Sequence, residues 1–292
     1  MQVWPATKLR IRLGLSFGFA ATALGAALLS ALPWPAAAVG AVSSGLSYVW
    51  VSYRYRRRRA LVGEPFPPRW RELLEGRVAF YRRLDEAGRE HFEADVRIFL
   101  AEQRIYAAGE DSEALDDETR LLVAASAAIL GHGMPDFEWP KMRDIVIHPR
   151  AFDEDYGDAG GHGDIAGMVH RQGPILYSER DLIRGFRRSD GDNVGLHELA
   201  HVLDMADGYA DGVPVGAGFR TRAPWMEIVV DRLQKVRRRR YRGVLRDYAG
   251  TNEAELFAVA VEVFFERPEG LRRDDPELYG MLRDYFGQDP AG

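Results

Sequence analysis

The residues with the most chemical potential in this chain lie in Asp192-Asn193-Val194-Gly195-Leu196-His197-Glu198-Leu199-Ala200-His201. On a helix, positions i and i+4 lie about 40° apart around the axis and one turn apart along it, so His197 and His201 can present both imidazoles to one metal ion. Glu198, one position further on, can reach a water on that metal instead of the metal itself. The set suits metal-assisted hydrolysis, with zinc lowering the pKa of its water and Glu198 taking the proton as general base. An H-E-x-x-H pattern alone is only moderately specific. Here Leu196, Leu199, Ala200, Val202 and Leu203 make the helix largely buried. Two histidines and a glutamate in such surroundings are costly without partners. The alternative is a pair of satisfied core histidines.

A catalytic zinc takes a third protein ligand and keeps an open position. The extended metzincin signature would place Gly at 204 and His at 207, but the chain has Asp204 and Asp207. A glutamate on a second helix is the next option, and Asn252 to Phe265 offers Glu253, Glu255 and Glu262. Glu255 and Glu262 share one face of an otherwise apolar helix, whereas Glu253 lies in the first turn, where an acid suits the helix dipole. Glu262 then reads either as holding a ligand imidazole or a neighbouring Arg, or as an ordinary buried ion pair. Asp204, one turn beyond His201, is a similar supporting residue or part of a helix surface.

These groups need elements to carry them. Phe92, Val96, Ile98 and Phe99 predict an amphipathic helix over about 78–108, and Leu121 to Leu130, capped by Asp116 or Asp117, a buried core helix. Ile145-Val146-Ile147 and Ile175-Leu176-Tyr177 read as short strands around a Gly-rich acidic loop at about 153–172. Helices follow at about 193–206, 222–247, 252–266 and 275–286, the first capped by Asp192 or Asn193. The expectation is a helix-dominated α+β domain with a small sheet.

The motif opens a longer pattern: His197-Glu198-Leu199-Ala200-His201-Val202-Leu203-Asp204-Met205-Ala206-Asp207-Gly208, then Asp211-Gly212-Val213-Pro214, then Tyr248 seven positions before Glu255 in Ala254-Glu255-Leu256-Phe257-Ala258-Val259, with Phe264-Phe265 beyond. Together with Ile147-His148-Pro149-Arg150-Ala151-Phe152 and Gln172-Gly173-Pro174-Ile175, they resemble the Mlc titration factor A family of zinc peptidases over roughly residues 78–288. The resemblance implies a zincin-like catalytic core of the gluzincin, lethal-factor type. It implies one zinc ion held by His197, His201 and Glu255, with Glu198 as general base. It also implies that Tyr248, by composition a packed aromatic, donates to the developing oxyanion. Where members usually have Trp after the Gly-Pro-Ile strand, this chain has Glu179. Members are associated with cleavage of short peptides, including aminopeptidase-like action, and with a DNA-binding repressor. The repressor transfers with no particular residue of this chain.

Composition separates two regions. The net charge of −5 divides into +8 for residues 1–60, which hold eight basic residues and no Asp or Glu, and −13 for the remainder. The acidic bulk argues against direct nucleic-acid binding. Without cysteine, any metal must be held by His, Asp or Glu. Residues 13–53 contain neither charge nor histidine, and Pro33-Trp34-Pro35 interrupts them. This predicts a transmembrane hairpin over about 13–32 and 36–53, an anchor of residues 1–60 reaching membrane lipid. Basic flanks place both ends on the cytoplasmic side of a bacterial inner membrane. A cleaved signal peptide, with Ala36-Ala37-Ala38 at its end, is the alternative. A Pro-rich linker at 61–69 leads into a peptidase domain over 70–292. His162 and His170 can gate the cleft or remain solvated. The run from Lys235 through Arg237–Arg240, Arg242 and Arg246 is either a lipid-facing patch or a solvated helix face. The expected activity is hydrolysis of peptides, with sequestration of a regulator at the membrane by a zinc-containing binding module as the alternative.

Overall fold

The computed structural model describes residues 33–109, 115–134, 137–140, 142, 144–152, 165–169, 173–216 and 219–292, and residues 14, 18, 21 and 25. The chain divides into two compact units, residues 1–65 with 135–137 and residues 66–134 with 138–292.

In the first unit, helix α1 spans Pro33–Gly63. Pro33 and Pro35 sit in its first turn, where a missing N–H and a fixed φ are tolerated, so they do not break it. Ser43, Ser44, Ser47 and Ser52 dilute its apolar part, and Arg54 and Arg56–Arg59 continue the same helix. No helix among the described residues is long and apolar enough to cross a membrane. That overturns the expected inner-membrane localisation and the second span at 36–53, and leaves the expected lipid contact through a hairpin without support among the described residues. The first expected span, 13–32, lies outside the described residues except at four positions.

The second unit opens with α2 (Pro68–Arg77), α3 (Ala79–Arg83) and α4 (Glu86–Glu102). The predicted helix over 78–108 is therefore broken. Leu84 is extended, and Asp85 caps a new helix by accepting from the N–H of Gly88. Buried Glu93 of α4 ties the three helices together, accepting both arms of Arg71 at 2.8 Å and the Tyr81 hydroxyl at 2.6 Å. Strand β1 (Ile105–Ala107) takes the end of the stretch predicted as helical. Helix α5 (Asp117–Gly131) starts at Asp116, whose carboxylate accepts from the Thr119 N–H, and every residue from Leu121 to Gly131 is buried.

Next come β2 (Ile145–His148), β3 (Gly167–Val169), β4 (Ile175–Ser178) and α6 (Glu179–Gly185). The strands lie in the order β1-β2-β4-β3, parallel except for β3, which runs antiparallel to β4 at the end of the sheet. Glu179 binds the Thr119 hydroxyl at 2.6 Å, joining α6 to α5. His162 and His170 lie outside the described residues.

Helix α7 (Val194–Asp204) packs against α5, β3, β4 and α9 (Glu253–Glu266). Gly195 permits the approach to α5, because a Cβ there would collide with the hydroxyl of Ser126. After α7, the loop through Asp211 to Val215 is pinned by the Trp225 indole, which donates to the Gly212 carbonyl at 2.7 Å, and by the Tyr285 hydroxyl on the Val215 carbonyl at 3.0 Å. Helix α8 (Phe219–Arg237) ends ten residues before the predicted boundary. Helices α10 (Pro268–Asp274) and α11 (Pro276–Phe286) close the chain. The result is a helix-dominated α+β domain with a small sheet.

Candidate metal centre

Two asparagines set the helices that carry the site. The Asn193 side chain accepts from the Leu196 N–H at 3.2 Å and starts α7, and the Asn252 side chain accepts from the Glu255 N–H at 2.9 Å and starts α9. Such caps satisfy helix N–H groups that have no partner within the helix. One turn into α7, His197 and His201 point the same way, their rings edge-to-face at 4.8 Å. Glu255, in the first turn of α9, faces them.

The three side chains bring ligand atoms together, all within 4.8 Å of one another. His197 Nε2 lies 3.0 Å from Glu255 Oε2 and 3.2 Å from His201 Nε2, and His201 Nε2 lies 3.4 Å from the same carboxylate oxygen. Tetrahedral zinc with ligands at about 2.0–2.1 Å requires ligand atoms about 3.3 Å apart, so the spacing and the two-nitrogen, one-oxygen donor set fit such an ion. Glu253 is outside this group.

Behind these three side chains, Glu262 is 0% exposed. Its Oε1 accepts from His197 Nδ1 at 2.7 Å and from Arg246 at 2.5 Å, while Oε2 accepts from the Asn193 N–H at 2.5 Å. Glu262 thus touches both a motif imidazole and a guanidinium, the two kinds of partner its sequence position offered. With Nδ1 tied to a carboxylate, His197 directs Nε2 toward the convergence point. Asp204 is also wholly buried, but it faces the backbone of Gly212 and Val213 instead of hydrogen-bonding to either histidine, and burial pushes its carboxyl up to about 6.

Burial alone would lower the pKa of His197, but hydrogen bonds to Glu255 and Glu262 outweigh it and push it up to about 10. Burial likewise works to raise Glu255, yet His197 and His201 hold it well below the usual carboxylate range. Glu198 is 4% exposed, and burial raises its pKa against the opposing pull of both histidines. A carboxylate raised in this way is better matched to taking and returning a proton near neutral pH. Tyr248 is 52% exposed, with its ring 6.0 Å from that of His197. Partial burial and then the charges of Glu255 and Glu198 push its hydroxyl up to about 12, so it remains a donor at neutral pH.

The sequence pattern did not single out several residues around this cluster. Gly167 of β3 lies against the motif helix, and a Cβ there would sit 2.5 Å from Glu198 Oε1 and 2.6 Å from Val194 Cγ2. Gly167→Ala is expected to cost about 1–3 kcal/mol of stability by overpacking and to lower activity by displacing Glu198. Denaturant titration and peptide hydrolysis would check both effects, and a fully active, equally stable variant would refute this reading of the contact. Tyr177 of β4 is wholly buried and raised by burial and then by Glu198. Arg246 had merged into a run of arginines. A buried carboxylate at 262 requires a cation, and that requirement was the available signal.

Glu266, one turn beyond Glu262, accepts from the Gly191 N–H at 2.8 Å and the Asn193 side chain at 2.9 Å, and burial pushes its carboxyl up to about 7. Its unfolded value is about 4.3. The folded chain therefore keeps this proton over a window where the unfolded chain has lost it. The corresponding stability is present below that window and is lost as pH rises through about 7. Glu266→Gln removes the effect. Measured by denaturation, its stability relative to wild type is expected to rise by roughly 1–3 kcal/mol between about pH 5 and pH 8. A difference that does not vary with pH would overturn the assignment.

Comparison with known proteins gives a consistent setting. The family model of the glucose-regulated metallo-peptidase M90 matches residues 52–287. An uncharacterized protein of Synechocystis sp. is 31% identical over 265 residues, covering 84% of this chain and 94% of that protein. Mlc titration factor A of Cronobacter sakazakii is 34% identical over 169 residues, 52% of this chain and 62% of that protein. The corresponding protein of Yersinia enterocolitica is 34% identical over 166 residues, 50% and 59%. The chain thus spans less than two thirds of the length of these two titration factors.

Proposed function

The chain belongs to the glucose-regulated metallopeptidase family M90, and on that premise we propose that it is a zinc-dependent peptidase acting on short peptides or chain termini in an aminopeptidase-like manner. The observation that carries the proposal is the convergence of His197, His201 and Glu255 on one point, with buried Glu198 on the same helix. When bound, a zinc ion supplies Lewis acidity, polarising the peptide carbonyl and acidifying water. Glu198 takes the proton of the attacking water and returns it to the leaving amine. Tyr248 donates its hydroxyl to the oxyanion that develops at the scissile carbonyl. Strand β3 ends the sheet with Gly167 against Glu198, so an extended peptide hydrogen-bonded along that edge passes the base.

The test is metal analysis of the purified chain together with cleavage of peptides bearing free or blocked N-termini, before and after chelation. Hydrolysis lost on chelation and restored by zinc is the expected result. Stoichiometric metal without cleavage of any peptide would refute the peptidase reading. A second reading rests on the similarity to proteins named Mlc titration factor A: the domain captures a DNA-binding repressor through its surface. Undiminished capture by a Glu198→Gln chain, with no hydrolysis by wild type, would favour it.

A further inference from the structure

Arg246 joins three segments of the site. One guanidinium nitrogen donates to Glu262 Oε1 at 2.5 Å, on the same oxygen that takes the proton of His197 Nδ1, and another donates to Asp192 beside the cap of α7. Its main chain holds the third segment. The Arg246 carbonyl accepts from the Ala249 N–H at 3.0 Å, closing the turn Asp247–Gly250 that carries Tyr248. Arg237 clamps the far side of that turn, donating to the carbonyls of Gly250 at 2.8 Å and Thr251 at 2.6 Å, and it has no hydrogen bond to Glu262 among the described residues.

We propose that Arg246 is a positioning residue that fixes the Nε2 of His197 and the hydroxyl of Tyr248 relative to each other, through Glu262 on one side and its own backbone on the other. A two-armed guanidinium can engage Asp192 and Glu262 together, whereas a lysine ammonium is a single point charge and cannot reproduce the fork. Glu262 without Arg246 would be a buried carboxylate that has lost its guanidinium and is left with the Asn193 N–H and His197 Nδ1, so a shift of its side chain would carry the His197 ring with it. The Tyr248 turn would lose its link to the ligand at the same time.

The proposal rests on the metallopeptidase reading for its kinetic part only, and zinc affinity tests the remainder independently. The experiment compares full-length wild type with Arg246→Lys, Arg246→Met, Arg237→Met, Tyr248→Phe and the Arg246→Met/Tyr248→Phe pair. Zinc affinity is measured by chelator competition, and folding is checked by circular dichroism. Arg246→Met is expected to weaken zinc binding about tenfold or more, the effect typical of losing a residue that orients a ligand, with Arg246→Lys recovering part of it and Arg237→Met staying within about twofold of wild type. At saturating zinc, Arg246→Met lowers kcat with little change in KM, and most of that loss disappears in the Tyr248→Phe background. If wild type cleaves no peptide, the peptidase reading fails. The Tyr248 arm is then read from the fluorine resonance of 3-fluorotyrosine-labelled protein, assigned by its absence in Tyr248→Phe and expected to move in Arg246→Met. Zinc affinity of Arg246→Met within twofold of wild type, fully multiplicative losses in the pair, or an unmoved resonance would overturn the proposal.

Discussion

Glu198→Gln is expected to lower kcat for peptide hydrolysis by about 10³-fold, within the span usual for loss of a general base, while zinc content stays at the wild-type level. Glu198 is not one of the three side chains whose ligand atoms converge, so its replacement leaves the donor set complete. Gln has nearly the same shape and fits the space against Gly167, but it cannot take a proton from water. The fold should not suffer. Burial raises the pKa of Glu198, with Glu255 and Glu262 adding negative charge nearby and both histidines opposing, so its charge is held in the folded chain at a cost. A neutral amide removes that cost, and the midpoint of thermal unfolding should be equal to or above that of wild type. Initial rates, zinc analysis and a melting curve on one preparation decide the matter. Hydrolysis within tenfold of wild type would remove Glu198 from the role of base and leave the metal site standing.

What was legible in the sequence was local. His197 and His201 are four residues apart on a helix with a short polar cap, so their shared face follows from helix geometry, and Glu255 with Glu262 follows from the same reasoning on a second capped helix. The break at Leu84 and Asp85 was less visible, since apolar spacing continues across it and only the Asp85 cap marks the new start. The end of α8 at Arg237 was hidden for a different reason. The chain turns at Arg239, whose φ of 51° is left-handed, at a position where glycine is the usual signal. Strand β3 has three residues, and its place depends on pairing with β4, which no local pattern encodes. Arg246 and Gly167 acquire meaning only when α9 and β3 pack on α7. The prolines at 33 and 35 fall in the first turn of α1, where a helix needs no hydrogen bond donor from them.

Glu255→Gln is expected to weaken zinc binding by at least about two orders of magnitude and to abolish the stabilisation expected from zinc in wild type, because one of the three proposed ligands loses its charge. Removing the ion from wild type should be milder. Once the ion is removed, a protonated His197 between Glu255 and Glu262, now 3.0 Å and 2.7 Å away, would supply the positive charge that the carboxylates require. The chelated chain therefore stays folded, and zinc at about a thousand times its Kd adds about 4 kcal/mol. The pH dependence separates the two states. In metal-free protein the His197 pKa is pushed up to about 10, above its unfolded value of about 6.5, so its contribution is full below that value and is lost as pH rises through about 10. Metal binding must displace this proton, so zinc affinity should weaken as pH falls, and the loss of stability toward alkaline pH should be confined to the chelated form. Denaturation with and without chelator across pH measures this directly. Identical pH profiles for the two forms would mean that His197 does not exchange its proton for the ion, and the ligand assignment would fall with it.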